Sequence, residues 1–314
     1  MVSISMKTKQ LNVYRQPPTD GVNNLYPTST DTFKQPALHL LIGCRTSGKS
    51  FLASKILAQC EKDSTFNTVY MITPSFNSNQ AYFGAYIKPE NVFDPTSDSI
   101  SKVIARVEQD RDEWEKFLED KKEYAKFQKQ MQSDTFIADD KLLYFHNMGW
   151  LDDQKKKPVW KYEKEEPPKS CLILDDCLSS PAILQSSGLT KVATLNRHIA
   201  PLQNLHSGRS ACGLAVMILS QSYKMTGGIG RCLRENVSLL TLFQNRQQKQ
   251  LECIKEELAN VVDLELFDKA YNFSTAEKYG NLTIDFAPKC GTKVFRKNLN
   301  EIILFDELKC GCHK

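Results

Sequence analysis

The sequence predicts an α/β fold with a mainly parallel central sheet flanked by helices. Three observations carry this. A strand-length apolar run, a helical stretch and a second such run follow one another between residues 38 and 73. Two more apolar runs, near 171–174 and 214–219, end in polar residues. Strand, helix, strand is the opening unit of a parallel sheet, and buried parallel strands read as near-continuous apolar runs.

Residues 1–36 are polar, carry Pro17, Pro18, Gly21, Pro27 and Pro36, and show little periodicity, so an N-terminal arm is expected there. The domain proper then spans 37–314. Leu38 to Ile42 is the first buried strand, stopped by Gly43. Phe51, Leu52, Ile56 and Leu57 recur at helical spacing, which predicts a helix over 50–60. Thr68 to Thr73 is a second strand ended by Pro74, and 75–99 reads as loop. From Ile100, the residues Ile104, Val107, Trp114 and Leu118 share a helical face; Tyr124, Phe127 and Met131 continue it with a drift. This predicts a charged helical insertion at about 100–135, bent or in two pieces. Leu142 to Phe145 is short enough for a strand, and 152–169, dense in Lys, Glu and Pro, reads as an exposed loop. Strands are expected at Cys171–Leu174, Leu214–Leu219 and Val237–Phe243, and a helix at Lys249–Ala270. Leu282–Phe286 and Thr292–Phe295 suggest a C-terminal hairpin appended to the domain.

Composition narrows the function classes. Lys and Arg number 41 against 37 Asp and Glu, a net charge of +4 in 314 residues. So small a balance excludes a tail-driven nucleic-acid binder; any DNA contact has to come from a local patch. No apolar run approaches the ~20 residues of a membrane span, and 1–12 lacks an apolar signal-peptide core. A soluble, non-secreted protein without a membrane partner is expected. The ten cysteines are scattered, several in or beside apolar runs, and read as reduced, mostly buried thiols. The tail Cys310-Gly311-Cys312-His313 has only Cys290 upstream as a further metal ligand, short of a standard zinc spacing.

The chemistry lies in a few residues. Gly43-Cys44-Arg45-Thr46-Ser47-Gly48-Lys49-Ser50 fits G-x-x-x-x-G-K-S, with a strand before and a helix after it. Such a loop curls its backbone N–H groups around phosphate oxygens and adds the positive end of the helix. Gly43, Thr46, Ser47, Gly48, Lys49 and Ser50 are therefore the nucleotide-binding set. Lys49 reaches the β and γ phosphates, and the Ser50 hydroxyl ligates Mg²⁺. Leu172-Ile173-Leu174-Asp175-Asp176 delivers carboxylates from the end of an apolar strand. Asp175 is assigned to Mg²⁺ and Asp176 to the attacking water of ATP hydrolysis. Gln221, at another strand end, is placed to sense the γ-phosphate or orient water. Arg197, Arg209, Arg231 and Arg234 all lie after the Asp pair, and an arginine supplied by a neighbouring subunit can neutralise transition-state charge.

The order of the motifs points further. After the phosphate loop come Met71-Ile72-Thr73-Pro74, Leu174-Asp175-Asp176, Gly208-Arg209-Ser210, Leu219-Ser220-Gln221-Ser222-Tyr223 and Arg234-Glu235-Asn236. Over residues 36–245 this resembles the poxvirus-type DNA-packaging ATPases of large DNA viruses and virophages, within the FtsK–HerA superfamily of P-loop NTPases. The family tends to carry His after the Gly-Arg, where this chain has Ser210. The resemblance implies an ATPase using ATP and Mg²⁺, built as a homo-oligomeric ring, with Arg209 and Arg234 matching arginines that act at a subunit interface. It implies double-stranded DNA and viral capsid proteins as partners, and a place in the host cytoplasm (the virus factory) and the virion. It also implies that the Leu214–Leu219 strand lies between the phosphate-loop strand and the Asp175 strand. Rival readings are a related helicase or transfer ATPase, a nucleotide-regulated scaffold and a small-molecule kinase. DNA stimulation and a capsid partner separate them.

Overall fold

The computed structural model describes residues 24–29, 32–132, 137–151, 157–177, 180–206, 208–224, 230–245, 247–288 and 294–305. β1 (Leu38–Ile42) leads through the Gly43–Gly48 loop into α1 (Lys49–Lys62) and on to β2 (Thr68–Ile72), the expected strand–helix–strand unit. α2 (Phe76–Phe83), β3 (Val92–Phe93), α3 (Ser99–Met131) and α4 (Asp139–Asn147) follow. Then come β4 (Ser170–Asp175), α5 (Pro181–Leu184), α6 (Ser187–Leu195) and a separate antiparallel pair, β5 (Pro201–His206) with β6 (Arg209–Ala211). β7 (Ala215–Ser220), α7 (Arg231–Glu235), β8 (Leu239–Phe243), α8 (Gln248–Leu258) and α9 (Leu264–Thr275) lead to β9 (Asn281–Asp285), β10 (Phe295–Lys297) and β11 (Glu301–Ile302).

The main sheet has nine strands in the order β11-β10-β9-β8-β1-β7-β4-β2-β3. All pairings from β8 across to β3 are parallel; β8–β9, β9–β10 and β10–β11 are antiparallel. β7 lies between β1 and β4, as the resemblance implies. β1, β4, β7 and β8 are buried along their whole length because helices cover both faces. Alternate residues divide between two cores. Leu40, Ile42, Leu172, Leu174, Val216 and Ile218 pack with Val103 and Ile104 of α3, Val192 of α6 and Phe267 of α9. Leu41, Ile173, Met217 and Leu219 pack with Leu52, Ile56 and Leu57 of α1 and Phe83 of α2. Burying one such side chain contributes roughly 1.5–3 kcal/mol.

His39 is the one titratable group inside β1. Its Nε2 lies 2.8 Å from Thr241 Oγ1 on β8, and Thr241 Oγ1 lies 2.7 Å from Thr283 Oγ1 on β9. Full burial lowers its pKa to about 3, because the interior disfavours the imidazolium.

Several expectations are corrected. The run at 142–145 is helical, not a strand: it lies inside α4, whose Phe145 packs on Phe127 of α3 with ring centroids 4.9 Å apart. A four-residue apolar run does not separate strand from helix by itself. The stretch 75–99 contains α2, held by the fully buried Phe83. α3 runs unbroken for 33 residues, about 50 Å at 1.5 Å per residue. Of the 152–169 segment, the described residues 157–169 are exposed only in part. Trp160 is buried against Trp114 of α3, with centroids 4.9 Å apart, and Lys161 bridges Asp110 and Glu113. The 249–270 helix is two helices, because Asp263 accepts from the backbone N–H groups of Glu265 and Leu266 at 2.9 and 3.1 Å and starts α9 anew.

The hairpin is not an appendage. β9 pairs with β8 at five positions and so extends the central sheet, and its partner strand is 295–297; the intervening 289–293 lie outside the described residues. The end of the arm also joins the core: Tyr26 and Phe33 are buried, and the Tyr26 hydroxyl lies 3.3 Å from both the N and the O of Ser170. The rest of the arm, residues 1–23 and 30–31, lies outside the described residues, as do Cys290 and the Cys310–His313 tail.

Candidate active site

Parallel pairing brings four strand ends to one edge. Ile42 stands opposite Ser220, Asp175 opposite Leu219, and Ile72 opposite Leu174. The residues at or just past those ends, Gly43, Gln221, Asp175, Asp176 and Thr73, therefore share the carboxyl edge of the sheet, where such folds bind ligands. Two backbone bonds tie the loops together: Gly43 N donates to Ser220 O at 3.1 Å, and Asp176 N to Leu219 O at 3.3 Å.

The loop between β1 and α1 is tightly wound. Gly48 has φ of 102° and Thr46 of 64°, both left-handed. A Cβ on Gly43 would collide with Ser47 Oγ and come within 2.9 Å of Phe243 Cβ, so only glycine fits there. Gly48 caps α1 with no side-chain hydrogen bond, which leaves first-turn N–H groups for an anion. Ser47 Oγ is buried and has no hydrogen-bond partner among the described residues. Lys49 is 8% exposed, and its Nζ donates to the carbonyls of Gly43 at 2.7 Å and Cys44 at 3.1 Å. Burial lowers its pKa, while Asp176 and Asp175 act the other way. The ammonium thus stands inside the loop, beside two carboxylates.

The two carboxylates differ in environment. Asp175 is 4% exposed; its Oδ2 accepts from Asn79 Nδ2 at 2.6 Å and from Thr73 Oγ1 at 3.4 Å. Its pKa is raised to about 6, first by burial and then by the Asp176 charge, against the pull of Lys49, Thr73 and Asn79. Asp176 is exposed and takes φ of 50°, an uncommon conformation for a residue with a Cβ, of the kind that gathers at functional sites. Both its oxygens accept from Gln221 Nε2, at 3.2 and 3.3 Å. The hydroxyl of Ser50 and the carboxylate of Asp175 are hard oxygen donors of the kind Mg²⁺ takes, so the residues present fit that ion.

Asn79 and Thr73 are site residues that sequence reading missed. Thr73 had a signal, since it ends β2 at the same edge as Asp176. Asn79 had none, because its helix lies in a segment of weak periodicity.

The arginines are not brought to this edge. Arg209 is 2% exposed. Its guanidinium donates to Pro167 O at 3.0 Å, Pro168 O at 2.9 Å and Cys212 O, and lies 4.8 Å from the Tyr26 ring centroid. That is a packing role, and it corrects the expectation of a subunit-interface arginine at 209. Arg234 is paired within its own chain: its Nε donates to Glu257 at 3.0 and 3.2 Å, and its guanidinium lies 5.5 Å from the Tyr223 ring centroid. Glu257 is seven residues along α8 from Gln250, whose amide reaches Ser222 beside the sheet edge, so it sits about 10 Å down that helix.

Among the described residues no group of three or more His, Cys, Asp or Glu is placed to hold a metal, and no helix is long and apolar enough to cross a membrane.

No family model matches the chain, and no curated protein matches it. Solved structures do. The genome packaging NTPase B204 from Sulfolobus turreted icosahedral virus 2, in complex with sulfate, is 12% identical and covers 86% of this chain and 98% of its own, with a TM-score of 0.46. The pCW3 conjugation coupling protein TcpA, as a monomer with ATPgS, is 15% identical over 75% of this chain and 58% of its own, with a TM-score of 0.39. The cytoplasmic domain of the Thermomonospora curvata Type VII secretion ATPase EccC is 12% identical over 87% of this chain and 26% of its own, with a TM-score of 0.38. The fold assignment stands on the strand order of this chain itself.

Proposed function

We propose that this chain is an ATP-hydrolysing motor that moves double-stranded DNA into a viral capsid. The observation that carries the reading is the convergence of Lys49, Ser50, Asp175, Asp176 and Gln221 on one sheet edge, with β7 between β1 and β4. The order of the sequence motifs supports the packaging task.

In this reading the 43–48 loop and the first turn of α1 bind the phosphates through backbone N–H groups. Lys49 turns from the carbonyls of Gly43 and Cys44 to the β and γ phosphates. Ser50 and Asp175 would hold Mg²⁺, which when bound neutralises charge on the phosphate oxygens. Asn79 and Thr73 orient the Asp175 carboxylate. Asp176 accepts a proton from the attacking water, and Gln221 positions that water and holds Asp176. The chain acts as a homo-oligomeric ring in the host cytoplasm and the virion, with DNA held by local Lys and Arg groups on its phosphates.

The test is ATPase activity measured with and without double-stranded DNA, at several salt concentrations. Stimulation that weakens with salt and ignores base sequence is expected. Turnover indifferent to DNA would favour a nucleotide-regulated scaffold. Stimulation without binding to capsid protein would favour a helicase or transfer ATPase.

A further inference from the structure

The triphosphate reading leaves the nucleoside unassigned, and the sheet order says where it goes. Asp175, Asp176 and Gln221 all lie on the β7–β4 side of the phosphate loop. A γ-phosphate that meets them directs the rest of the nucleotide across the loop to the other side, where β8 and β9 lie. β9 is antiparallel to β8 and pairs Asn281 with Phe243, so the turn entering β9 stands at the same edge as the loop.

That turn presents Tyr279. Tyr279 is 54% exposed, and its backbone takes φ of 68°, a strained conformation for a bulky residue. Neighbours hold it there. Gly280 N donates to Glu277 O at 2.9 Å, and a Cβ on Gly280 would collide with Ser274 O. Asn281 Nδ2 donates to Tyr279 O at 3.3 Å, and Asn281 is itself buried. The ring reaches the phosphate loop: a Cβ built on Gly48 would lie 3.5 Å from Tyr279 Cδ1 and 3.5 Å from Phe243 Cε1. Lys278 Nζ lies 5.0 Å from the ring centroid, adding a cation beside it.

We infer that Tyr279 is the stacking platform for the nucleobase of the bound nucleoside triphosphate, an assignment that rests on the phosphate-loop reading above. Base–aromatic stacking needs a π face and no particular hydrogen-bond pattern, which suits a lone exposed ring.

The test compares ATP with inorganic tripolyphosphate as probes, by calorimetric titration of the full chain. Tyr279→Ala is expected to weaken ATP about tenfold and to leave tripolyphosphate within twofold of the wild type, while Tyr279→Phe binds ATP as the wild type does. Alanine adds no backbone strain that tyrosine does not already carry at this φ, and an unchanged unfolding midpoint checks that the variant folds. If ATP and tripolyphosphate weaken together, or neither changes, the stacking assignment is overturned and the phosphate loop is untouched. A wild-type chain that binds neither probe, or a Lys49→Ala chain that binds both normally, overturns the phosphate-loop reading and the platform with it.

Discussion

Gln221 and Asp176 are 45 residues apart in sequence, yet the Gln221 amide nitrogen lies 3.2 and 3.3 Å from the two oxygens of Asp176. Neighbouring parallel strands deliver them to one point. The amide holds the Asp176 carboxylate in place at the sheet edge. Replacing Asp176 by Asn removes the acceptor and keeps the shape. Asp176→Asn is expected to bind Mg-ATP within a few-fold of the wild type and to hydrolyse it roughly 10²–10⁴ times more slowly. Single-turnover assays at saturating ATP measure this. Lost binding with normal hydrolysis per bound nucleotide would reverse the roles of Asp175 and Asp176.

Lys49→Ala is expected to abolish turnover while circular dichroism stays that of the wild type. The ammonium hydrogen-bonds to loop carbonyls in this structure, so its loss removes a charge contact with phosphate rather than an apolar side chain of either core. Normal turnover in a folded variant would contradict a nucleotide site here.

Asn79→Ala tests the residue that sequence reading missed. Its amide donates to Asp175 at 2.6 Å. Removing such a partner of a metal-binding carboxylate costs about 10–100-fold in metal affinity. ATP affinity should fall in Mg²⁺ and stay unchanged in EDTA. An equal loss in both media would mean that Asn79 supports the fold of α2 rather than the carboxylate.

The two arginines should separate from catalysis. Arg209→Ala leaves the carbonyls of Pro167, Pro168 and Cys212 without their donor and is expected to cost about 3 kcal/mol in urea unfolding, with ATP affinity unchanged below the transition. Because Glu257 of the same chain holds Arg234, Arg234→Ala is expected to hydrolyse ATP within a few-fold of the wild type. An inactive Arg234→Ala whose activity returns on mixing with Lys49→Ala subunits would show that Arg234 leaves Glu257 to serve a neighbour's phosphate loop.

Stability should fall on the acid side through His39. Its pKa drops from an ordinary 6.5 to about 3 in the folded chain. Below pH 6.5 the unfolded chain binds a proton that the folded chain refuses, so stability rises with pH between about 3 and 6.5. At pH 5 this one group costs about 2 kcal/mol relative to pH 7. His39→Gln, which cannot titrate, should flatten that limb of the pH–stability curve measured by urea unfolding. An unchanged limb would assign the acid loss to other groups.

The parts of the molecule that announce themselves in sequence are those where one strand supplies everything locally. β1, β4, β7 and β8 are buried throughout and mostly apolar, and the Gly43–Ser50 loop needs its glycines for its own winding, so both are visible without a structure. What stayed hidden depends on distant partners. Leu142 to Phe145 is helical because Phe127 and Trp150 receive Phe145, and nothing local says so. Asp263 was an exception of the other kind, since a capping aspartate before Leu264 is a local signal that the strong periodicity on either side masked. Arg209 read as a candidate subunit-interface cation because two of the three carbonyls that hold it lie some forty residues away, in a segment read as an exposed loop.

The main sheet ends on both sides in strands of two residues, β3 at 92–93 and β11 at 301–302. Among the described residues, then, neither margin offers an incoming chain more than a couple of backbone donors and acceptors. Strand exchange and edge-to-edge fibre growth need longer templates than that. In the proposed ring, the described residues of neighbouring copies would therefore meet through side-chain surfaces, and force arising at Lys49 and Asp176 of one copy would pass to the next through packed side chains and not through a continuous ribbon of backbone.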